Sequence, residues 1–208
     1  MRSTIDGLTF TERARRIQIV HAAIGLIAEV GYAQASVAKI AERARTAKSV
    51  VHYHFVSKDG LVAIVATQIY LAAAKVMLPA IEAEETATNK LRAYIRANGM
   101  YINENRSDAL VLLDIWTSFR TASGQRLDDA MAAAAADGLL PELDPASIFE
   151  LGQRNGEFRP FDRAAMSLAL RQAIDGAVLL VSRDTTFNIA NYCEELVTLF
   201  DRATRPAP

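Results

Sequence analysis

Residues 36–61, SVAKIAERARTAKSVVHYHFVSKDGL, leave room for little besides two short helices and a tight turn. Ser36 is a helix N-cap by type, and Val37, Ile40, Ala41 and Ala44 recur at the three-and-four spacing of a buried helix face. Arg45 and Thr46 then fall in a turn, and a second helix is expected from near Ala47 to His54. Phe55 is placed to plug the core between them, and Ser57 to cap a longer helix that follows. Helices this short do not persist alone in water, so the stretch demands a longer helix to pack against. Thr9 followed three residues later by Glu12 is a capping-box signature that starts one. It should run to about Val30, with Ile17, Val20, Ile24 and Ile27 facing inward and Gly31 as its stop. Residues 1–60 thus read as a three-helix head, preceded by eight residues without periodicity that are expected to form a mobile arm.

Residues 61–208 read as a larger helical body. The fourth helix should carry Leu61, Ile64, Val65, Gln68, Ile69, Ala72 and Val76 inward until Pro79 ends it. After a polar break, a helix carries Leu91, Ile95, Asn98, Tyr101 and Ile102, and Asn105 and Ser107 punctuate its end. Residues 107–121 are apolar nearly all round, which predicts a helix buried on most sides in the centre of the body. An Ala-rich helix over 126–136, a loop over 138–145 and a helix over 146–155 follow. Two long amphipathic helices at 162–182 and 188–203 precede a frayed tail. With β-branched hairpin patterns missing, the fold class is all-α, with about nine to ten helices.

The net charge of −1 argues by itself against a nucleic-acid partner, but it hides an asymmetry. Residues 1–60 hold nine Lys and Arg against five Asp and Glu, a net +4, which leaves −5 on the remainder. A basic head on an acidic body fits a chain whose head alone approaches phosphates. One cysteine, Cys193, excludes an internal disulfide framework. No charged-then-apolar leader is apparent, and no uninterrupted apolar run approaches the roughly 20 residues of a membrane span, so a cytoplasmic setting is expected.

A helix pair with a three-residue turn, a basic second helix and an aromatic cluster behind it suits a recognition helix in a DNA major groove. On that geometry Lys48, Ser49 and Val50 face base edges, Lys48 toward guanine or phosphate and Val50 toward a thymine methyl. His52, Tyr53, His54 and Lys58 are candidate donors to phosphate oxygens, with Ser36, Arg45 and Thr46 at the adjacent helix start and turn. Arg13, Arg15 and Arg16 read either as a solvated face or as further backbone contacts.

Beyond geometry, the residues resemble a known family. Gly31-Tyr32, then Ser36-Val37-x-x-Ile40-Ala41, the turn, and His52-Tyr53-His54-Phe55-x-Ser57-Lys58-x-x-Leu61 resemble the TetR family of bacterial transcriptional regulators, over about Arg13 to Val65. The resemblance implies a homodimer with its two heads in successive major grooves of double-stranded DNA. It implies a helical body that binds a small-molecule effector and dimerises through its last two helices. Gly156-Glu157-Phe158-Arg159 and Asp175-Gly176 resemble a pattern of such bodies, and Trp116 with the segment after it is loosely similar to the betaine-pathway (BetI) type. Three departures stand out. Where the family often has Gly-Val-Ser, this chain has Arg45-Thr46-Ala47, which leaves a left-handed backbone position to Arg45 at a cost of about 1 kcal/mol. Thr46 is placed to replace the lost serine as cap. His52 stands where a tyrosine is usual, giving an imidazole contact open to pH dependence.

Candidate effector contacts in the body are Tyr94, Asn98, Tyr101, Trp116, Phe119 and Arg120, aromatic or polar-edged groups on helices expected to be central. Asp114 near an aromatic wall suits a cation and Arg120 suits a carboxylate, so the charge of the effector stays open. Leu168, Leu179, Ile189, Leu196, Leu199 and Phe200 outnumber what one chain's bundle needs, which suggests a four-helix interface between two copies; the alternative is that they only close the core of a single copy. The three histidines all lie within the first 54 residues, and no metal-ligand spacing, glycine-rich phosphate loop or nucleophile elbow occurs. No catalytic residue, metal or cofactor is therefore expected. The favoured reading is a ligand-responsive DNA-binding regulator that represses; the alternatives are a helical small-molecule-binding protein and a helical-bundle enzyme without DNA function.

Overall fold

A computed structural model describes residues 9–121, 123–134 and 143–206. The expected N-terminal arm, much of the 138–145 loop and the last two residues of the tail lie outside them. Among the described residues the chain forms ten helices and no strand: α1 Phe10–Val30, α2 Val37–Arg43, α3 Lys48–Phe55, α4 Lys58–Glu82, α5 Ala87–Glu104, α6 Arg106–Ser118, α7 Leu127–Ala134, α8 Ala146–Arg154, α9 Arg163–Arg183 and α10 Ile189–Thr204. They fall into two compact units, one within residues 1–71 and 107–140, the other within 72–106 and 141–208.

In the first unit, local sequence sets the helix ends. Thr9 and Glu12 form the reciprocal capping box, the Thr9 N–H donating to Glu12 Oε2 at 2.8 Å, and Gly31 ends α1 with φ 80°. Ser36 caps α2 by accepting from the Lys39 N–H. Ile40, Val51, Phe55 and Leu61 are buried, as are Ile19, Val20, Leu26 and Ile27 of α1, and α2 packs on both α1 and α3. The expected α1 face was partly misplaced. Ile17 is exposed and Ile24 only half-buried, because Arg16 and Gln18 turn toward α3 and α2. Gln18 donates to the Ala44 carbonyl at 3.0 Å, while Arg16 donates to the His54 carbonyl and stacks over Phe55, 4.6 Å from its ring centre.

The fourth helix departs from expectation in two ways. Gln68, Ala72 and Val76 are exposed, while Val62, Ala66, Ala73 and Met77 are buried. A helix that is apolar nearly all round has no unique face to read from periodicity. Pro79 does not end it: α4 continues to Glu82, and the Pro79 carbonyl accepts the Ala83 N–H at 3.1 Å. Pro79 has no N–H to give the Lys75 carbonyl, yet the helix continues past it to its last residues. Residues 107–121, expected at the centre of the body and buried on most sides, instead belong to the first unit. Only Ala109, Val111 and Ile115 of α6 are buried, and Trp116 is 46% exposed.

The second unit is built around α5, which packs on α10, α8 and α9. Its ends are held by the stretch Gly156-Glu157-Phe158-Arg159, which follows α8 through a left-handed Gly156, φ 75°. The Glu157 carboxylate accepts the N–H groups of Ala87 and Thr88, both at 3.0 Å, and so satisfies two orphan donors of the α5 N-terminus. Phe158 packs on Gly152, where an added Cβ would lie 2.1 Å from the ring, and meets Phe149 and Phe161. Arg159 donates from its backbone to Thr204 and from Nε to the Ala203 carbonyl at 2.7 Å, closing the C-terminus of α10. Four consecutive residues thereby tie three helices.

The last two helices divide the six apolar residues assigned to an interface. Ile189, Leu196 and Phe200 are buried in the unit's own core, whereas Leu168, Leu179 and Leu199 are exposed, together with Leu180. By length and composition alone, α4 and α9 are each apolar enough to cross a membrane, which the count of uninterrupted apolar runs did not reveal; half of the α4 window is buried inside the fold and a third of the α9 window.

Candidate nucleic-acid interface

The α2–turn–α3 segment closes on a strained corner. Arg45 takes φ 49°, the left-handed position expected of it, and its N–H donates to the Glu42 carbonyl at 3.0 Å. The replacement cap is not formed: Ala47, not Thr46, precedes α3, and no side chain accepts from the α3 N-terminus. Without a side-chain cap, α3 begins at Lys48 with Lys48 and Ser49 exposed and Val50 half-exposed, while Val51 one residue on is buried. This alternation is what a helix needs to anchor itself from one side and present the other.

At its far end α3 stops in a second non-glycine left-handed residue. Val56 has φ 59° and ψ −49°, and the Ser57 N–H turns back to the Phe55 carbonyl, a γ-turn of the strained hand. The Val56 side chain is 85% exposed. Gly60 makes room beneath: a Cβ there would lie 2.8 Å from the Phe55 carbonyl oxygen. Ser57 accepts the Gly60 N–H at 3.0 Å, the capping role expected of it.

Four of the residues singled out from the sequence, Ser36, Lys48, His52 and Lys58, line one open hollow of about 460 Å³, with Val56 and Ser57 on its rim. Tyr53 is exposed, and its hydroxyl donates to Glu12 Oε1 at 3.1 Å. The hydrogen bonds from the Thr9 backbone and hydroxyl, with that from Tyr53, hold the Glu12 carboxyl below its usual range. His54 is half-buried beside Tyr53, ring centres 5.1 Å apart, and burial and then the Arg16 charge push its imidazole below the usual value, toward the neutral form. Lys58 donates to the Tyr32 carbonyl at 3.2 Å, with its ammonium 4.5 Å from the centre of the Tyr32 ring. Arg16, left between a solvated face and a DNA contact by the sequence, braces α3 from behind. Val56, Ser57 and Tyr32 were not singled out as site residues. A β-branched residue between an aromatic and a serine gives no sequence signal of a turn, and Tyr32 is marked only by the glycine before it.

The six candidate effector contacts divide between the units. In the second, Tyr94, Asn98 and Tyr101 are buried on one face of α5. The Tyr94 hydroxyl accepts from Arg171 at 3.1 Å, Arg171 lies 3.4 Å from Asp175, and burial raises both the Tyr94 hydroxyl and the Asp175 carboxyl above their ordinary values. In the first, Phe119 is buried against Tyr32, whereas Trp116 and Arg120 are exposed and the Arg120 guanidinium donates to the Phe119 carbonyl.

Residues 19–65 match the profile of the bacterial regulatory proteins of the tetR family. No curated protein sequence matches the chain. Several solved structures share its fold. A tetR-family bacterial regulatory protein from Rhodococcus RHA1 is 21% identical over 93% of this chain and 98% of its own, TM-score 0.69. The transcriptional regulator FadR from Bacillus subtilis, solved with stearoyl-CoA, is 22% identical over 88% and 96%, TM-score 0.71. AibR, solved with isovaleryl coenzyme A and operator DNA, is 17% identical over 89% and 97%, TM-score 0.70. At such identities the likeness establishes the fold, and the profile match establishes the head. Together they define a helix-turn-helix regulator rather than an enzyme. Residues 19–65 carry the N-terminal region of the bacterial regulatory proteins of the tetR family, and the whole chain has the fold of such regulators.

Proposed function

We propose that this protein is a homodimeric, ligand-responsive repressor that occupies a double-stranded operator through its two heads and leaves it when a small-molecule effector binds. The observation that carries the reading is the convergence of Ser36, Lys48, His52 and Lys58 on one open hollow beside the exposed start of α3. In this reading Lys48, Ser49 and Val50 meet base edges, while His52, Tyr53, His54 and Lys58 hold phosphates, flanked by Ser36, Arg45 and Thr46. Residues 1–60 are the DNA-binding part and residues 61–208 the effector-binding and dimerisation part. Exposed Leu168, Leu179, Leu180 and Leu199 on α9 and α10 supply the apolar face for a second copy. The protein works in the cytoplasm, where its operator is.

Effector binding involves Tyr94, Asn98, Tyr101, Trp116, Phe119 and Arg120. It biases the pair of heads away from the spacing of roughly 34–36 Å that successive major grooves require. Because FadR and AibR were solved with acyl-coenzyme A ligands, acyl thioesters of coenzyme A are the first effectors to test. Footprinting on the protein's own promoter at low salt, with and without stearoyl-CoA and isovaleryl-CoA, tests the whole reading. A footprint that fades as salt rises is the expected result. Absence of any footprint at low salt would overturn it.

A further inference from the structure

We infer that Tyr32 and Asp114 are positioning residues for Lys58, so that a carboxylate on α6, more than fifty residues beyond the helix-turn-helix, helps set one phosphate contact of the head. The inference rests on the reading of the head as a DNA-binding face. A lysine side chain has a long flexible stem and three N–H donors, and it serves as a defined contact only if something restrains it. Here Lys58 gives one donor to the Tyr32 carbonyl at 3.2 Å and lays its ammonium over the Tyr32 ring at 4.5 Å. Lys58 also lines the hollow that Ser36, Lys48 and His52 share. Burial against the tyrosine lowers its affinity for the proton below that of a free lysine, as expected of a partly desolvated ammonium.

Tyr32 is itself held from the other side. Its backbone N–H donates to Asp114 Oδ2 at 2.7 Å, and its ring leans on the buried Phe119 with centres 6.1 Å apart. The second Asp114 oxygen accepts the Ser118 hydroxyl at 3.2 Å, which orients the carboxylate. Gly31, at φ 80°, brings the Tyr32 amide to this carboxylate, and even a Cβ at that position would stand 3.6 Å from Oδ2. The connection therefore runs from α6 through the end of α1 to the first residue of α4, every link a charged hydrogen bond, a backbone bond or a ring contact within one compact unit. Any displacement of α6 relative to α1 changes where Lys58 sits.

Fluorescence anisotropy on the footprinted duplex, measured across a salt series, tests the inference. Wild type is compared with Asp114→Ala, Asp114→Asn, Tyr32→Leu, Lys58→Met and the Asp114→Ala/Lys58→Met double variant. Asp114→Ala is expected to weaken binding on the order of tenfold and to flatten the slope of log affinity against log salt by about 0.9, the share of one phosphate. Lys58→Met should do the same, and the double variant should be no worse than either single. Asp114→Asn, whose amide oxygen still accepts the Tyr32 N–H, should stay close to wild type. Tyr32→Leu keeps both backbone bonds and removes the ring, so it should lose part of the slope. A merely structural role for Asp114 would lower affinity through the folded fraction and leave the slope unchanged, and that result overturns the inference. So does a double variant in which the two losses multiply. If Asp114→Ala does not fold, an unaltered slope in Tyr32→Leu overturns it. Loss of all DNA binding in the wild type is a different result, which removes the regulator reading itself.

Discussion

The DNA-facing surface of the head and the clasp of the second unit obey local backbone rules to very different degrees. In the head, Arg45 and Val56 occupy the left-handed region without being glycine, α3 begins without a side-chain cap, and Val56 stands almost wholly in solvent. In the clasp, the left-handed residue is Gly156, two orphan N–H groups of α5 end on Glu157, the last carbonyls of α10 end on Arg159, and Phe158 fills the space above Gly152. Where local rules are broken without local compensation, the surrounding fold holds the strain and the exposed groups have another use. Where every rule is kept, the segment serves the fold. The contrast assigns function to the corner of the head and stability to the clasp, and it is open to direct test.

The largest effect should come from filling the clasp. Gly152→Ala forces a methyl into the Phe158 ring between Phe149 and Phe161 and should cost about 3 kcal/mol, read by urea denaturation. A loss under a quarter of that would mean the clasp is looser than its geometry. Next, Glu157→Ala should cost about 1–2 kcal/mol at pH 7 by orphaning two helix N–H groups. Burial alone would raise the Glu157 carboxyl, but the N–H groups of Thr88 and Ala87 outweigh it and hold it below its free value of 4.5. A folded value below the unfolded one means stabilisation that is complete above pH 4.5 and disappears as the pH falls through the folded value. The gap between wild type and variant should therefore narrow steadily in denaturation curves taken from pH 5 down to pH 3. In the head the sign reverses: Val56→Gly should raise stability by about 1 kcal/mol by relieving a conformation that β-branched residues avoid. The same variant should weaken operator binding, since the corner is no longer held. A Val56→Gly protein of unchanged or lower stability would break the contrast. The smallest effect is chemical. Cys193 is buried against Gly99, and burial pushes its thiol up to about 11. A disulfide reagent at pH 8 should leave it unlabelled in the native protein and label it fully in urea.

How much of this was legible beforehand differs by feature. Helix ends read well, because caps are chosen by residues a few positions apart: Thr9 with Glu12, Ser36 with Lys39, Ser57 with Gly60, and Gly31 as a stop. The left-handed Arg45 was legible for the same reason, since a missing glycine is visible in one position. Thr46 as a cap was not, because a threonine one residue out of register is chemically suitable and geometrically absent. Buried faces read less well. On α1, Ile17 was drawn inward by periodicity, but Arg16 and Gln18 found partners on α3 and α2 and rotated the face. On α4 and α6, apolar residues on nearly every side left the choice of face to whatever packs against them.

The sequence by itself determined the all-helical class, the order and ends of the head's helices, the basic head on an acidic remainder, and the family of the head. Each of these depends on residues close together in the chain or on sums over it. The tertiary structure alone decided that Ser36, Lys48, His52 and Lys58 share a hollow, that Glu157 caps a helix seventy residues away, and that Asp114 reaches Tyr32 across eighty-two. Hydrogen bonds at such separations depend on where helices end up in space, and no periodicity within any one helix encodes that.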